Sequence, residues 1–408
     1  TQAGPFYEIG TKGFPIRQID YGDSGTEKLA AVLQEVEKTQ ELHIATLSQT
    51  RSLFGTGEIT PGESYDFTSV IQGTPQQLKV NSQGSDIVVS TQEGSVFHFA
   101  RSGEQIRFLN RFEPFGDQND KRIGSMDFLL GGVSLVFTSN TGLNRIFSLY
   151  RAQGSEIRTF GKTKDFEPLS SAATFYSASL RNKAFLIGSG SNASIRYGTT
   201  ENVRWHQSLP FNVRLARLGG KYDRIAFLDS ANNLHLYSLQ DPHPETSWKA
   251  LFGKIWYEGS FEPKYDWQST GGTDDFEPKL SLVPLIIGTL KGTFFAMLFA
   301  VPIALLAAVY TSQFLHPDFR VIVKPTMEIM SSLPSVVLGF LAALWLAPIL
   351  EARIPSVLVI VLLVPALALI FGFLWNQLPI RYRLLIKPGF EWIAFIPLFL
   401  GITYLGWI

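Results

Sequence analysis

The pattern of apolar and polar positions divides the chain into two parts. Up to about residue 280, apolar residues alternate with polar ones in short runs separated by Gly, Ser, Asn and Asp. From Leu282 onward, Leu, Ile, Val, Ala and Phe form long runs. Alternation with a period of two is typical of half-buried strands, whereas apolar runs of about 18 residues or more are typical of membrane helices. The sequence therefore predicts a multidomain protein, β-rich first and helical afterwards.

A unit of an apolar strand, a turn and a second alternating strand recurs in the first part. The clearest copies start at four positions: Ile87, Leu135, Ala184 and Ile225. These starts are 48, 49 and 41 residues apart, and a further copy is expected at 28–33 and 42–47. A shorter strand is expected before three of the hairpins, at 77–80, 123–126 and 213–216. A repeat of about 40 to 50 residues with several short strands is typical of a β-propeller blade.

We therefore predict a β-propeller-like domain over residues 1–253 with about five blades. The chain starts at Thr1 without a Met or a signal peptide, so we expect further blades to have been cut away. The Phe-Glu-Pro motif at Phe112 and Phe166, after successive copies, supports the register of the repeat. The alternative is a β-sandwich with long hairpins, whose strands have no reason to repeat in fours.

Composition narrows the chemistry. The chain has 35 basic and 35 acidic residues, without the basic excess of a nucleic-acid binder. It has no cysteine, which removes disulfides, thiol catalysis and cysteine-ligated metals. The histidines share no metal-ligand spacing, and His98 and His235, at alternate positions of equivalent strands, are expected to be satisfied blade residues. The sequence thus predicts no catalytic residue, no metal and no cofactor.

Residues 254–281 are predicted to be a linker. They are rich in aromatic and acidic residues, and the Phe-Glu-Pro-Lys motif occurs twice, at 261–264 and 276–279. Trp256, Tyr257, Tyr265 and Trp267 resemble aromatic residues that lie just outside a bilayer. The alternative is an ordinary surface loop.

Four apolar stretches follow, at 282–314, 327–350, 355–375 and 392–408. Each is close to the length that crosses a bilayer, so residues 282–408 are predicted to be a transmembrane domain of four helices. Because Ile408 falls inside an apolar run, we expect this domain to be truncated. The membrane lipid is the implied environment.

Charged residues between the stretches orient them. Arg320 and Lys324 follow the first stretch. Arg381, Arg383 and Lys387 follow the third, whereas the loop after the second has only Glu351 and Arg353. Because short cytoplasmic loops are rich in Lys and Arg, the first and third loops are predicted to be cytoplasmic. The β-rich domain is then extracytoplasmic, which in a bacterium means periplasmic, with the helices in the inner membrane.

Prolines and hydroxyls distinguish these stretches from plain anchors. Pro302 and Pro334 are predicted to kink their helices, since proline removes a backbone donor. Ser331, Ser332 and Ser335 surround Pro334 and offer hydroxyls at membrane depth. They are candidates for a substrate path, or they bond back to their own helix.

Two runs of the membrane part resemble known permeases. Residues 287–293 together with 300–310 resemble the first core helix of a binding-protein-dependent ABC permease. This run contains Thr289 and Lys291, which we add to the substrate-path candidates, with snorkelling to the outer interface as the alternative for Lys291. The run Met-Glu-Ile-Met-Ser-Ser-Leu-Pro-Ser-Val-Val-Leu-Gly at 327–339 is similar to a helix of phosphate permeases of the PstC type. The motif resemblance covers about residues 284–350, and the β-rich domain resembles the extracytoplasmic insertion of the long form.

The resemblance implies an inner-membrane permease subunit of an ABC importer for inorganic phosphate. Its implied partners are a second permease subunit, a cytoplasmic ATPase subunit and a periplasmic phosphate-binding protein. One feature departs from the family, whose members carry a Glu-Ala-Ala-type motif in a cytoplasmic loop that docks on the ATPase. This sequence has no such loop. Glu351-Ala352 does not qualify, because it lies in the loop predicted to be outside. Two rival hypotheses are a membrane-tethered propeller that acts as an interaction or sensor module, and a membrane-anchored propeller enzyme.

Overall fold

The computed structural model describes residues 8–25, 27–37, 39–49, 59–103, 105–154, 157–273, 275–383, 385–386 and 391–407. The chain divides into a first unit that ends at Gly288 and a second unit that begins at Thr289. The first unit is built from β-sheets and the second from apolar helices.

Among the described residues, five antiparallel sheets of three or four strands follow one another along the first unit. Sheet 1 contains β1 (Ile16–Asp23), β2 (Glu27–Val36), β3 (Thr39–Gln49) and β4 (Ile59–Asp66). Sheet 2 contains β5 (Pro75–Val80), β6 (Asp86–Thr91), β7 (Val96–Ser102) and β8 (Gln105–Phe112). Sheet 3 contains β9 (Ile123–Phe128), β10 (Ser134–Ser139), β11 (Asn144–Arg151) and β12 (Arg158–Phe166). Sheet 4 contains β13 (Phe175–Ala178), β14 (Ala184–Ser189), β15 (Asn192–Tyr197) and β16 (Asn202–Ser208). Sheet 5 contains β17 (Val213–Leu218), β18 (Arg224–Asp229) and β19 (Leu234–Ser238).

In every sheet the strands pair in chain order, as an up-and-down meander. The five predicted hairpins are confirmed as the central pairs β2–β3, β6–β7, β10–β11 and β14–β15, and as β18–β19 at the end of sheet 5. The three predicted shorter strands are confirmed as β5, β9 and β17. Five separate meanders are the arrangement of propeller blades, not the two layers of a sandwich.

Neighbouring sheets pack face to face. Ile87 and Val89 of β6 lie in a cluster shared with sheet 1, whereas Val88 between them lies in a cluster shared with sheet 3. Further clusters join sheet 3 to sheet 4 and sheet 4 to sheet 5. Since successive side chains of a strand point to opposite faces, an apolar strand such as β6 buries both faces between two neighbours. The core is therefore a series of layers between sheets.

Glycines in two hairpin turns let the segment that follows the sheet pack against the turn. Gly94 and Gly142 have φ angles of +90° and +91°, which favour glycine. A Cβ atom would lie 2.1 Å from the carbonyl oxygen of Lys121 at Gly94, and 2.4 Å from that of Leu169 at Gly142. Both glycines thus permit a connecting segment to pack directly on the turn.

The series ends at sheet 5 with an exposed strand. Among the described residues, no apolar cluster contains members of both sheet 1 and sheet 5, so the layers do not form a closed ring. Leu234 and Leu236 of β19 are 64% and 66% exposed. The first unit is accordingly propeller-like in its repeating layers and open in its overall connectivity.

The predicted linker is packed rather than free. It follows α1 (Trp248–Phe252) and contains the short strands β20 (Trp267–Gln268) and β21 (Lys279–Leu280). The expectation that Tyr257 lies at a bilayer surface is wrong, because Tyr257 is 1% exposed in a cluster with Ala250 and Ile255. Tyr265 and Trp267 are exposed.

Helices, most of them apolar, make up the second unit, and the first of them begins at Val283, before the boundary between the units. They are α2 (Val283–Val309) with a π-helical end (Tyr310–Phe314), α3 (Pro317–Ser332), α4 (Ser335–Leu341), a π-helical turn (Ala342–Leu346), α5 (Ala347–Glu351), α6 (Ile354–Gln377), α7 (Ile380–Arg383), a 3₁₀ turn (Glu391–Phe395) and α8 (Ile396–Trp407). Within the described residues, two helices are long and apolar enough to cross a membrane, Val283–Phe314 and Ile354–Gln377. The pair Pro317–Ser332 and Ser335–Glu351 makes a third if it is one broken span, while Ile393–Tyr404 is shorter.

The prediction that Arg320 and Lys324 lie in a loop is wrong. Both lie in α3, which begins directly after the first apolar helix. Pro317 at the first helical position and Asp318 in the first turn favour this early start. Lys387 was used to predict the orientation, and Ile408 to predict the truncation. Both residues lie outside the described residues.

Candidate functional site

A right-angled break interrupts the second predicted membrane stretch. Helix α3 ends at Ser332, the following helix begins at Ser335, and the two axes meet at 87°. Pro334 lies at this break and is the N-cap of α4. Proline has no N–H to donate, so the helical ladder cannot continue through it.

The serine hydroxyls next to the break bond to their own helix. Ser331 Oγ donates to the carbonyl oxygen of Glu328 at 2.8 Å, and Ser332 Oγ donates to that of Ile329 at 2.6 Å. The N–H of Leu333 turns to the carbonyl of Met330 at 3.3 Å. The Ile329 carbonyl, four residues before Leu333, is thus satisfied by a hydroxyl instead of an N–H.

The Met330 carbonyl remains satisfied at the break, and a substrate role for the serines stays a prediction. The Met330 carbonyl, which Pro334 deprives of its usual donor, accepts from Leu333. Of the two alternatives for Ser331 and Ser332, bonding back to the helix is the observed one. A hydroxyl that donates to a carbonyl still has lone pairs and can be turned to another partner, so its place at the break keeps it available.

The other candidates lie on α2. Thr289 and Lys291 are exposed near its start and two residues apart, so they do not share one helical face. The helix continues from Val283 to Val309 through Pro302. The structure therefore gathers the three serines around one break and places Thr289 and Lys291 on a different helix.

The first unit holds a buried ion pair that the sequence analysis missed. Lys183 Nζ donates to Glu258 at 2.6 Å and to the carbonyl of Leu130 at 2.6 Å. The other oxygen of Glu258 accepts from Ser134 Oγ at 2.7 Å. The side chains of Lys183 and Glu258 are only 3% and 12% exposed. This pair fastens the predicted linker to sheets 3 and 4.

A second linker carboxylate lies beside the first. Glu277 accepts from Thr199 Oγ1 at 2.5 Å and from the backbone N–H of Glu258 at 2.8 Å. Burial raises the pKa of Glu258, the negative charge of Glu277 raises it further, and Lys183 opposes both effects. Two acidic groups and one ammonium therefore share a nearly dry site at the linker.

The two histidines singled out in the sequence are satisfied, as predicted. His98 is fully buried, with Nε2 2.9 Å from Asp86 Oδ1 and Nδ1 3.2 Å from Asn110 Oδ1. His235 Nε2 lies 3.0 Å from Asp229. Among the described residues, no group of three or more His, Asp or Glu side chains could hold a metal ion.

A cavity of about 1040 Å³ lies between sheets 4 and 5 and the linker. Asp241 organises one wall, because it accepts from both Nε and Nη2 of Arg204 and from the hydroxyl of Tyr222. Burial raises the pKa of Tyr222 above its usual value, and the charge of Asp241 adds to this. Asp241 and Tyr222 of this wall are therefore already engaged with protein partners.

One sequence signal could have indicated the buried linker residues. The Phe-Glu-Pro motif that closes sheets 2 and 3 recurs at 276–278, where its Glu277 is buried. The copy at 261–263 is exposed, so the motif alone does not tell which of the two later copies packs against the blades. Lys183 gives no such signal, because it lies in a short polar turn between β13 and β14.

Comparison with known proteins gives little further guidance. No family model matches the chain, and no curated protein matches it. Among solved structures, the β-propeller domain of Cps50 (Swd1) of Myceliophteria thermophila is similar over 55% of this chain and 83% of that chain, with 8% identity and a TM-score of 0.37. Similarity at this level carries no conclusion about this chain.

Proposed function

We propose that this chain is a membrane-spanning subunit of a solute importer. The observation that carries the proposal is the broken helix pair, Pro317–Ser332 and Ser335–Glu351, with its 87° bend. A tether needs only one continuous apolar helix. Discontinuous helices recur in transporters, where they place polar backbone and hydroxyl groups near the middle of the membrane.

The substrate class is proposed from the motif around the break. The run Leu333-Pro334-Ser335, with Val336 and Val337 after it, resembles phosphate permeases of the PstC type. The chain would then work with a second permease subunit, a cytoplasmic ATPase and a periplasmic phosphate-binding protein. The sheet domain would lie on the periplasmic side of a bacterial inner membrane. Hydroxyls suit a path for an oxyanion because they donate hydrogen bonds without adding negative charge.

The test is phosphate uptake by cells that depend on the full-length protein. Ser332→Ala and Ser335→Ala should each lower uptake about tenfold, the loss expected when one hydrogen bond to a charged group is removed. The amount of protein in the membrane should not change. Ser332→Thr, which keeps the hydroxyl, should retain most of the uptake.

Thr326→Val is the matched control. Thr326 is another hydroxyl of α3 that bonds back to the helix, to the carbonyl of Ile322 at 2.8 Å, but it lies away from the break. Its replacement should leave uptake unchanged, as should Leu338→Ala on the other side of the break. Normal uptake by both serine variants would show that these hydroxyls serve helix packing only.

A further inference from the structure

Sheet 4 contains a buried arginine that forms no ion pair with any carboxylate of the described residues. Arg196 of β15 is 3% exposed. Its Nη1 donates to the carbonyl of Glu167 at 2.6 Å, its Nε donates to Ser194 Oγ at 3.3 Å, and its guanidinium lies 5.7 Å from the ring centre of Phe166. Among the described residues, no carboxylate lies within ion-pair distance of it, including that of Glu167. Burying a cation without a counterion costs free energy, so a group that would compensate the charge of Arg196 is expected nearby.

Sheet 3 provides an internal comparison. Arg145 of β11 is also in the third strand of its sheet and also donates to a carbonyl of a Phe-Glu-Pro segment, that of Pro114 at 2.9 Å. Its guanidinium stacks over Phe115. Unlike Arg196, it is held by two carboxylates, with Nε 2.9 Å from Asp165 and Nη2 2.7 Å from Asp117. In sheet 3, therefore, carboxylates of the protein neutralise the charge of an arginine in the equivalent position.

The two carboxylates are replaced in sheet 4 by uncharged residues. Asp165 lies directly across from Arg145 on β12, whereas the residue across from Arg196 on β16 is Val203. Asp117 follows the first Phe-Glu-Pro motif, and Ser171 takes the corresponding place after the second. The two changes together remove the counterions that Arg145 has.

A cavity opens at Arg196. It measures about 440 Å³, and its lining includes both Arg196 and Glu167. Hydroxyl, amide and imidazole groups line it as well, namely Ser170, Ser189, Asn192, Ser194 and His206, together with the apolar residues Pro168, Leu169 and Val203. Among the described residues, Nη2 of Arg196 donates to no protein acceptor. Burial lowers the pKa of Arg196 to about 10 and the charge of Glu167 partly opposes this, so the side chain remains cationic at neutral pH.

We propose that this cavity of sheet 4 binds an oxyanion of the phosphate or sulfate type, either free or as a monoester, with Arg196 as its counterion. The planar guanidinium presents donors in a fork that matches two oxygens of such an anion. Ser189, Ser194 and Asn192 supply hydrogen-bonding groups around the remaining oxygens. The anion takes the place that Asp117 and Asp165 fill at Arg145. This site lies in the sheet domain and does not depend on the proposed transport function.

The test is calorimetric titration of the full-length protein in detergent with inorganic phosphate, sulfate and glycerol phosphate, with chloride as the reference anion. Saturable binding of at least one oxyanion at one site per chain is expected, and the ranking of the three distinguishes a free anion from a monoester. Arg196→Met should weaken binding about tenfold or more, since it removes charge-assisted hydrogen bonds. Arg217→Met, which removes an exposed arginine of β17, should leave binding unchanged.

A second variant keeps the proposal testable if Arg196→Met does not fold. Val203→Asp places a carboxylate across the strand from Arg196, as Asp165 is placed for Arg145. It should abolish oxyanion binding and raise the melting temperature measured without anion, whereas in the unmodified protein the oxyanion itself should raise it. Absence of saturable binding, equal binding of chloride, or binding that survives both Val203→Asp and Arg196→Met would overturn the proposal.

Discussion

At the scale of single residues, two buried cations of the first unit differ in the pKa shift of the carboxylate beside them. Arg145 and Lys183 each lie beside carboxylates, Asp117 with Asp165 in one case and Glu258 in the other. The guanidinium of Arg145 holds the pKa of Asp117 well below its usual value. At Lys183 the balance is reversed, because burial and the neighbouring Glu277 raise the pKa of Glu258. The ammonium of Lys183 therefore supplies the positive charge that stabilises the two buried acidic groups.

We expect Lys183→Met to destabilise the sheet domain by about 3 to 5 kcal/mol near pH 7, since two nearly buried carboxylates lose their cation. The loss should shrink as the pH falls. The folded pKa of Glu258 is raised above its unfolded value, so the folded state takes up this proton first on acidification, and protonation removes the unpaired charge. Urea unfolding followed by tryptophan fluorescence, near pH 7 and near pH 5, measures both effects.

Lys221→Met is the control, because Lys221 is exposed and its removal should change the free energy of unfolding by less than about 0.5 kcal/mol. A deficit for Lys183→Met that grows towards low pH would contradict the assignment of Glu258 as the raised group. A deficit equal to that of Lys221→Met would show that the ion pair does not stabilise the linker.

At the scale of elements, the sequence predicts what is local. The central hairpins were predicted because their alternation and their turns, such as the one at Gly94, are encoded within about 15 residues. Six outer strands are not predicted: β1, β4, β8, β12, β13 and β16. A strand such as β16 is polar and largely exposed, and it pairs only because a neighbouring strand is already in place. The contact of Lys183 with Glu258 joins residues 75 positions apart, and no local pattern reports it.

The break at Pro334 can be measured as a distance, and the absence of native cysteine makes site-specific spin labelling clean. Labels on cysteines introduced at Ile322 and Leu346 would be about 36 Å apart on a straight helix and about 25 Å apart across a right-angled bend, from a rise of about 1.5 Å per residue. The shorter distance is expected. Pro334→Ala should move the distribution towards the longer one, because alanine restores the missing N–H.

Thr326→Ala serves as the control for this measurement, since it changes a residue of α3 without altering the ladder at the break. A distance near 36 Å in the unmodified protein would contradict the break itself. A bend that survives Pro334→Ala would assign it to the hydrogen bonds of Ser331 and Ser332 with the helix rather than to proline.

At the scale of the whole molecule, the bent pair has two alternative topologies: it crosses the membrane, or it returns to the side from which it entered. Its arms contain 16 and 17 residues, about 24 and 25 Å of helix, and each alone is shorter than the hydrocarbon core. Two arms at 87° that are each tilted by about 45° reach about 35 Å in total, which is enough to cross. A single broken span is therefore geometrically possible.

The distribution of charge favours a crossing. Arg320 and Lys324 lie near the start of the pair, whereas its far end has one charge of each sign, Glu351 and Arg353. Basic residues remain on the cytoplasmic side of short membrane segments, so the start is expected to be cytoplasmic and the end outside. A returning loop would leave both ends on one side and would reverse the orientation of α6.

Reporter fusions at Gln313, Ala352 and Arg383 separate the two topologies. If the pair crosses, Gln313 and Arg383 should read cytoplasmic and Ala352 periplasmic, because α6 is long enough to bring the chain back. If the pair returns, Ala352 should read cytoplasmic like Gln313, and Arg383 periplasmic. The fusion at Gln313 is the internal control, since both topologies give it the same side. A periplasmic signal at Gln313 would refute the orientation inferred from charge and with it the proposed periplasmic location of the sheet domain.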